Sequence, residues 1–130
     1  MPKFLGIDYG EKRIGLATAG GGYSHAEAAT TVASLDEVVA FVRDHGPFED
    51  IVMGLPRNMD GDDTHQTRLV REVAGDLSER LGAQIELIDE FDTSNLARAR
   101  LLDSGRAFKQ EEIDAESAAI ILDDFLVGLD

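Results

Sequence analysis

Two apolar stretches of this chain run straight into acids. Phe4, Leu5 and Ile7 supply the β-favouring side chains of a buried strand, and the run ends at Asp8, with Gly6 and Gly10 on either side. Far downstream, Ile85-Glu86-Leu87-Ile88 makes a second core strand that runs into Asp89 and Glu90 in the same way. A carboxylate at the end of a core strand loses hydration, so it has to be paired, hydrogen-bonded or used to hold a cation. Parallel neighbours would bring two such ends together, at the sheet edge where α/β proteins place their ligands.

The rest of the chain supplies the frame for such a sheet. Ile14-Gly15-Leu16-Ala17 follows a short turn of Gly10, Glu11 and Lys12 and reads as the hairpin partner of the first strand. The hairpin ends at Gly20-Gly21-Gly22, a turn and not a phosphate cradle, since no helix with a Lys-Ser or Lys-Thr follows. An edge strand is expected near His25 to Val32. A helix then starts at Ser34, with Glu37 completing a capping box and Leu35, Val38, Val39 and Val42 at helical spacing, until Gly46-Pro47 stops it. Ile51-Val52-Met53-Gly54-Leu55 fits a strand covered on both faces and ends at Pro56.

The acidic loop after Pro56 lacks the alternating ligands of a calcium loop and reads as solvated. Its Arg57 and Asn58 are candidates for backbone or phosphate contact, with ordinary surface roles as the alternative. A helix is expected from His65 to Gly82, inward through Leu69, Val73 and Leu77, with Arg68, Arg71 and Arg80 in ion pairs along its own surface. Another is expected from Thr93 or Ser94 to Ser104, inward through Leu96, Ala99 and Leu102 or Leu101, and capped by Gly105. The last helix follows the polar loop Arg106 to Glu112 and buries Ala118, Ile121, Leu122 and Phe125. Asp114 lies on that inward stripe, where capping and dipole stabilisation are the plain reading of a lone acid.

Three acids from separate elements, if they converge, make an oxygen-lined site for Mg²⁺ or Mn²⁺. Two such ions about 4 Å apart would activate a water and stabilise the leaving oxygen of a phosphodiester, with no Ser, Cys or His nucleophile required. His25, His45 and His65 lack any metal-ligand pattern, and there is no cysteine for thiolate or disulfide chemistry. At 130 residues one domain is expected, and no run is apolar enough to span a bilayer, which points to a soluble, cytoplasmic protein. A net charge of -14, from 26 acids and 12 bases, opposes nucleic-acid binding. The bases are nevertheless grouped, as Lys12 with Arg13, Arg68 with Arg71, and Arg98, Arg100 and Arg106 with Lys109, so weak and salt-sensitive binding is expected. Lys12, Arg13, Arg57, Asn58, Arg98 and Arg100 are the candidate substrate contacts.

Four motifs in order carry a resemblance over nearly the whole chain: Gly6-Ile7-Asp8-Tyr9-Gly10 with Arg13-Ile14-Gly15-Leu16-Ala17; Val52-Met53-Gly54-Leu55-Pro56 with Asn58-Met59-Asp60-Gly61; Asp89-Glu90; and Ile113-Asp114-Ala115 with Ser117-Ala118-Ala119 and Ile121-Leu122. Together they resemble the YqgF/RuvX family, described as nucleases for the 5′ end of pre-16S rRNA and as Holliday junction resolvases. The resemblance implies an α/β, ribonuclease H-like fold: a mixed five-stranded sheet, three antiparallel strands then two parallel, with helices on both faces. By motif position the family's catalytic, metal-holding acids fall on Asp8, Glu90 and Asp114. The chain departs from the family in carrying Phe91, Asp92 and Thr93 where an Arg followed by Leu-Thr or Leu-Ser is usual.

The function expected from residues and resemblance together is a divalent-metal nuclease acting on structured nucleic acid, with pre-rRNA placed ahead of four-way DNA. Paired-strand resolution would call for a homodimer and single-strand trimming for a monomer. Two other classes stand beside it: a nucleotide-binding domain of the actin and sugar-kinase type, and a non-catalytic ribosome-assembly module.

Overall fold

The computed structural model describes residues 3–20, 25–105 and 107–128. Five strands, β1 (Lys3–Tyr9), β2 (Ile14–Gly20), β3 (Glu27–Val32), β4 (Asp50–Pro56) and β5 (Ile85–Glu90), form one sheet in the order β3-β2-β1-β4-β5. The β1–β2 hairpin is closed by the Gly10 N–H, which donates to the Arg13 carbonyl at 3.0 Å. β3 continues the antiparallel half, and β4 lies parallel to both β1 and β5. The expected three antiparallel and two parallel strands are present. The two acid-ended strands are not neighbours, however, because β4 runs between them.

Four helices connect and cover the sheet: α1 (Leu35–His45), α2 (His65–Leu81), α3 (Thr93–Asp103) and α4 (Gln110–Gly128). The Ser34 hydroxyl accepts from the Glu37 N–H at 3.3 Å and so starts α1, but the expected capping box is not closed, since the Glu37 carboxylate accepts from the Ala33 N–H, one residue before the cap. Thr64 and Thr67 form a reciprocal capping box at the start of α2. The fully buried Thr67 also donates its hydroxyl to the Pro56 carbonyl, which pins the first turn of α2 to the end of β4.

The two faces of the sheet differ in side-chain size. On one, Leu5, Ile7, Ile14, Leu16, Ile51 and Met53 pack against Val38 of α1 and Val70 and Leu77 of α2. Burial of each such side chain contributes about 1.5–3 kcal/mol. On the other, strand alternation presents Gly6, Gly15, Ala17 and Gly54, and α4 lies directly on them. A Cβ at Gly6 would stand 2.7 Å from the Ala118 carbonyl oxygen. α4 is therefore buried almost all round, with α3 covering its outer side through Ala97 and Leu101 against Ile113 and Ile120.

Several expectations are corrected. β5 is a half-exposed edge strand and not a core strand: only one neighbour pairs with it, and Leu87 is exposed. α3 turns Ala97 and Leu101 inward, leaving Leu96, Ala99 and Leu102 exposed, because it rests on one helix and needs only a narrow stripe. α4 starts at Gln110, inside the segment expected as a loop. Two of the three arginines of α2 pair away from their own helix, Arg71 with Asp63 of the preceding loop at 2.5 Å and Arg80 with Asp36 of α1. Gly21, Gly22 and Arg106, named in the expectations above, lie outside the described residues.

Candidate active site

Asp8 and Glu90 meet across a glycine. Ile7 pairs with Met53, so Asp8 and Gly54 come next along β1 and β4; Gly54 in turn pairs with Ile88, two residues before Glu90. A Cβ on Gly54 would stand 3.2 Å from Cγ of Glu90 and 2.5 Å from Cδ1 of Ile121. The glycine is what lets two acids from non-adjacent strands share one space. They line a cleft of about 330 Å³ together with Tyr9, Arg57, Gln66 and Thr93. Its walls include the first turns of α2 and α3, whose N–H groups and dipoles favour an anion.

Asp114 reaches the same neighbourhood from the opposite side of β1. Asp8 pairs with Gly15 on β2, and a Cβ on Gly15 would stand 1.9 Å from the backbone oxygen of Asp114. The first turns of α4 thus lie on the strand residue paired with Asp8. The Asp114 carboxylate itself is drawn into a second bay, lined by Gly10, Glu11, Lys12, Arg13 and Gln66, where its Oδ2 accepts from Arg13 Nε at 2.6 Å. Gln66 lines both spaces.

The electrostatics follow from this placement. Burial, then the negative charge of Asp114, pushes the Asp8 carboxyl up to about 7. Burial, then a hydrogen bond with Asp124 and its charge, pushes Glu90 up to about 8; the Thr93 hydroxyl, donating to Glu90 Oε1 at 3.0 Å, opposes the rise. Among the described residues the Asp8 carboxylate has no hydrogen bond or ion pair. No three of their His, Asp or Glu side chains are gathered closely enough to enclose one ion. The donor set is nonetheless all oxygen, suited to a hard cation, and a cation is what an unpaired, desolvated carboxylate beside two other acids lacks.

The candidate bases divide. Lys12 is exposed and lines the second bay, and Arg13 is committed to Asp114 there. Arg57 lines the cleft but is held by Asp89 at 2.9 Å and by Asp63; the hydrogen bond it donates to Asp89 raises its pKa further. Asn58 points its Oδ1 at the Asp60 and Asp62 N–H groups, at 3.0 and 2.9 Å, and so shapes its own loop. Arg98 and Arg100 are away from the cleft: Arg98 donates to Asn95 of its own helix at 3.0 Å, and Arg100 faces Glu116 and Asp123 of α4 at 3.6 and 3.7 Å. Sequence reasoning missed Asp124, Gln66 and Gly54. Asp124 could have been found as the acid three residues beyond the buried Ile121 on the same helix face.

A mixed sheet of this order, with α4 on its small-residue face and acids at the ends of β1 and β5, defines a ribonuclease H-like domain with an acidic cleft. The RuvX family model, described as a Holliday junction resolvase, matches residues 2–128, and the chain belongs to that family. A relative from Flavobacterium psychrophilum is 34% identical over 97% of both chains, and one from Anaeromyxobacter sp. strain K is 38% identical over 94% of both; each bears the name "Putative pre-16S rRNA nuclease". In fold, the chain is similar to Thermus thermophilus RuvC in complex with a Holliday junction substrate, with a TM-score of 0.59 at 14% identity, covering 98% of this chain and 95% of that one. Phosphodiester hydrolysis is the activity that the family and these relatives carry by name.

Proposed function

We propose that this chain is a divalent-cation-dependent nuclease that acts in the cytoplasm on structured RNA, at the 5′ end of pre-16S rRNA. One observation carries the reading: Asp8 and Glu90 face one cleft across Gly54, both held near neutral pKa, with no protein cation on Asp8 among the described residues. Asp8, Glu90 and Asp114 are the residues that would hold Mg²⁺ or Mn²⁺. When bound, such an ion polarises the phosphoryl group and lowers the pKa of the attacking water.

The remaining work falls to the chain. The Thr93 hydroxyl orients the Glu90 carboxyl, and Asp124 beside it keeps that carboxyl protonated to higher pH. The first turns of α2 and α3 face the cleft and suit the non-bridging oxygens of the scissile phosphate. Lys12, beside the second bay, is placed for a flanking phosphate. Scarcity of such contacts fits the charge of -14 and implies a substrate recognised by shape more than by overall attraction.

Cleavage of four-way DNA is the second reading, favoured by the likeness in fold to RuvC and by the description of the family model. The test compares a 16S precursor fragment carrying its 5′ extension with a synthetic four-way junction, each with Mg²⁺, Mn²⁺ or EDTA. Metal-dependent trimming of the RNA that vanishes in Asp8→Asn is the expected result. Cleavage of the junction alone would transfer the assignment to DNA, and cleavage that survives EDTA would remove the metal from it.

A further inference from the structure

The third acid of the site lies close enough to raise the pKa of Asp8, yet lines a different space. Asp114 does not line the cleft that holds Asp8 and Glu90; its carboxylate sits in the neighbouring bay on the Arg13 guanidinium, 2.6 Å away. The pair is partly open to water, with Arg13 at 37% and Asp114 at 16% side-chain exposure. With its guanidinium side open to water, the pair can trade one oxyanion for another without leaving a buried charge uncovered. Lys12, adjacent in sequence and exposed in the same bay, has no ion pair among the described residues, so a phosphate entering there would meet two cations. Arg13 gives only its Nε to Asp114, which leaves its two terminal amino groups for such a group, and guanidinium recognises phosphate as well as carboxylate.

We propose that Arg13 is an exchangeable counter-ion which holds Asp114 in the bay until a backbone phosphate of the nucleic acid takes the guanidinium, leaving Asp114 free to turn towards Asp8. This rests on the metal-nuclease reading and adds to it an order of events: the substrate completes the cation site. Protein without substrate then binds the cation weakly, because a fixed positive charge already neutralises one of its ligands.

Two measurements on the full chain test the exchange. Mn²⁺ binding is followed by the paramagnetic resonance of the free ion for wild type, Arg13→Gln, Arg13→Lys and Asp8→Asn, and binding of a 12-nucleotide RNA is followed by anisotropy in EDTA. Removing the guanidinium in Arg13→Gln is expected to tighten Mn²⁺ on the order of tenfold while weakening the RNA several-fold, and Arg13→Lys, which keeps the charge without the fork, to lie between wild type and Arg13→Gln in both. A merely structural Arg13 would give losses of the same sign, and that result, or unchanged Mn²⁺ affinity, overturns the exchange. If neither wild type nor Arg13→Gln binds more Mn²⁺ than Asp8→Asn, the metal reading falls first and the exchange falls with it. If wild type binds through Asp8 and Arg13→Gln is no tighter, only the exchange falls.

Discussion

Gly15 lies so close beneath α4 that a Cβ there would stand 1.9 Å from the backbone oxygen of Asp114. Because Gly15 pairs with Asp8 across the hairpin, this contact sets the spacing between a strand-borne acid and a helix-borne one. The glycine needs no unusual backbone angle; it is required for the close approach alone.

Gly15→Ala is therefore expected to push the start of α4 off the sheet. A destabilisation of about 2–3 kcal/mol, typical of overpacking, should appear in urea unfolding, with nuclease activity lost more completely than fold. Gly75, exposed on α2 with nothing near its absent Cβ, is the control. Gly75→Ala should raise stability by about 0.5–1 kcal/mol through helix propensity.

Asp8 gives a pH signature in metal-free protein. Its folded pKa, about 7, is above the ordinary 3.8, so the folded state holds a proton that the unfolded state releases. The favourable contribution is complete below about 3.8 and is lost as pH rises through about 7. Asp8→Asn removes this loss. Thermal melts in EDTA should coincide for the two proteins near pH 4 and separate progressively to pH 8, with the variant more stable by at most about 4 kcal/mol. Mg²⁺ should raise the wild-type melting temperature at pH 8 and leave the variant unmoved.

Lys12 and Arg98 separate a cleft contact from a surface charge. Lys12 borders the site, whereas Arg98, midway along α3, is tied to Asn95 and does not line the cleft. Lys12→Ala should weaken RNA binding chiefly at low salt and reduce the slope of log affinity against log salt by about one. Arg98→Ala should leave that slope close to wild type, a result that anisotropy titrations at three ionic strengths would establish.

How much of this was legible in the sequence depends on the range of the interaction. The hairpin, the Ser34 cap and the acids at strand ends are local patterns, and they lie where periodicity and capping chemistry place them. Leu96 and Leu102 were misplaced because the inward face of α3 is chosen by α4, not by α3's own weak pattern. Arg71 and Arg80 were misplaced for a related reason, since their acids come from other elements. The small-residue face of the sheet was written plainly in Gly6, Gly15 and Gly54, yet its meaning needs the helix that lies on it. Asp124 can be read from the sequence as an acid near the face of Ile121, but that it meets Glu90 follows only once β5 and α4 are set side by side.

Gly54 offers the sharpest separation of catalysis from stability. A methyl group there would meet the flexible end of Ile121 at 2.5 Å and Cγ of Glu90 at 3.2 Å. Ile121 can adjust by a rotamer change at modest cost, of order 1 kcal/mol. Glu90 has no such freedom, because Thr93 and Asp124 bracket its carboxyl while the strand fixes its Cα. Gly54→Ala should accordingly melt within a few degrees of wild type, by order of magnitude from about 1 kcal/mol, yet lose at least about tenfold in metal-dependent cleavage, as expected when a catalytic group is displaced by part of an ångström. Equal activity in a folded Gly54→Ala protein would mean that Asp8 and Glu90 do not act on one phosphate together.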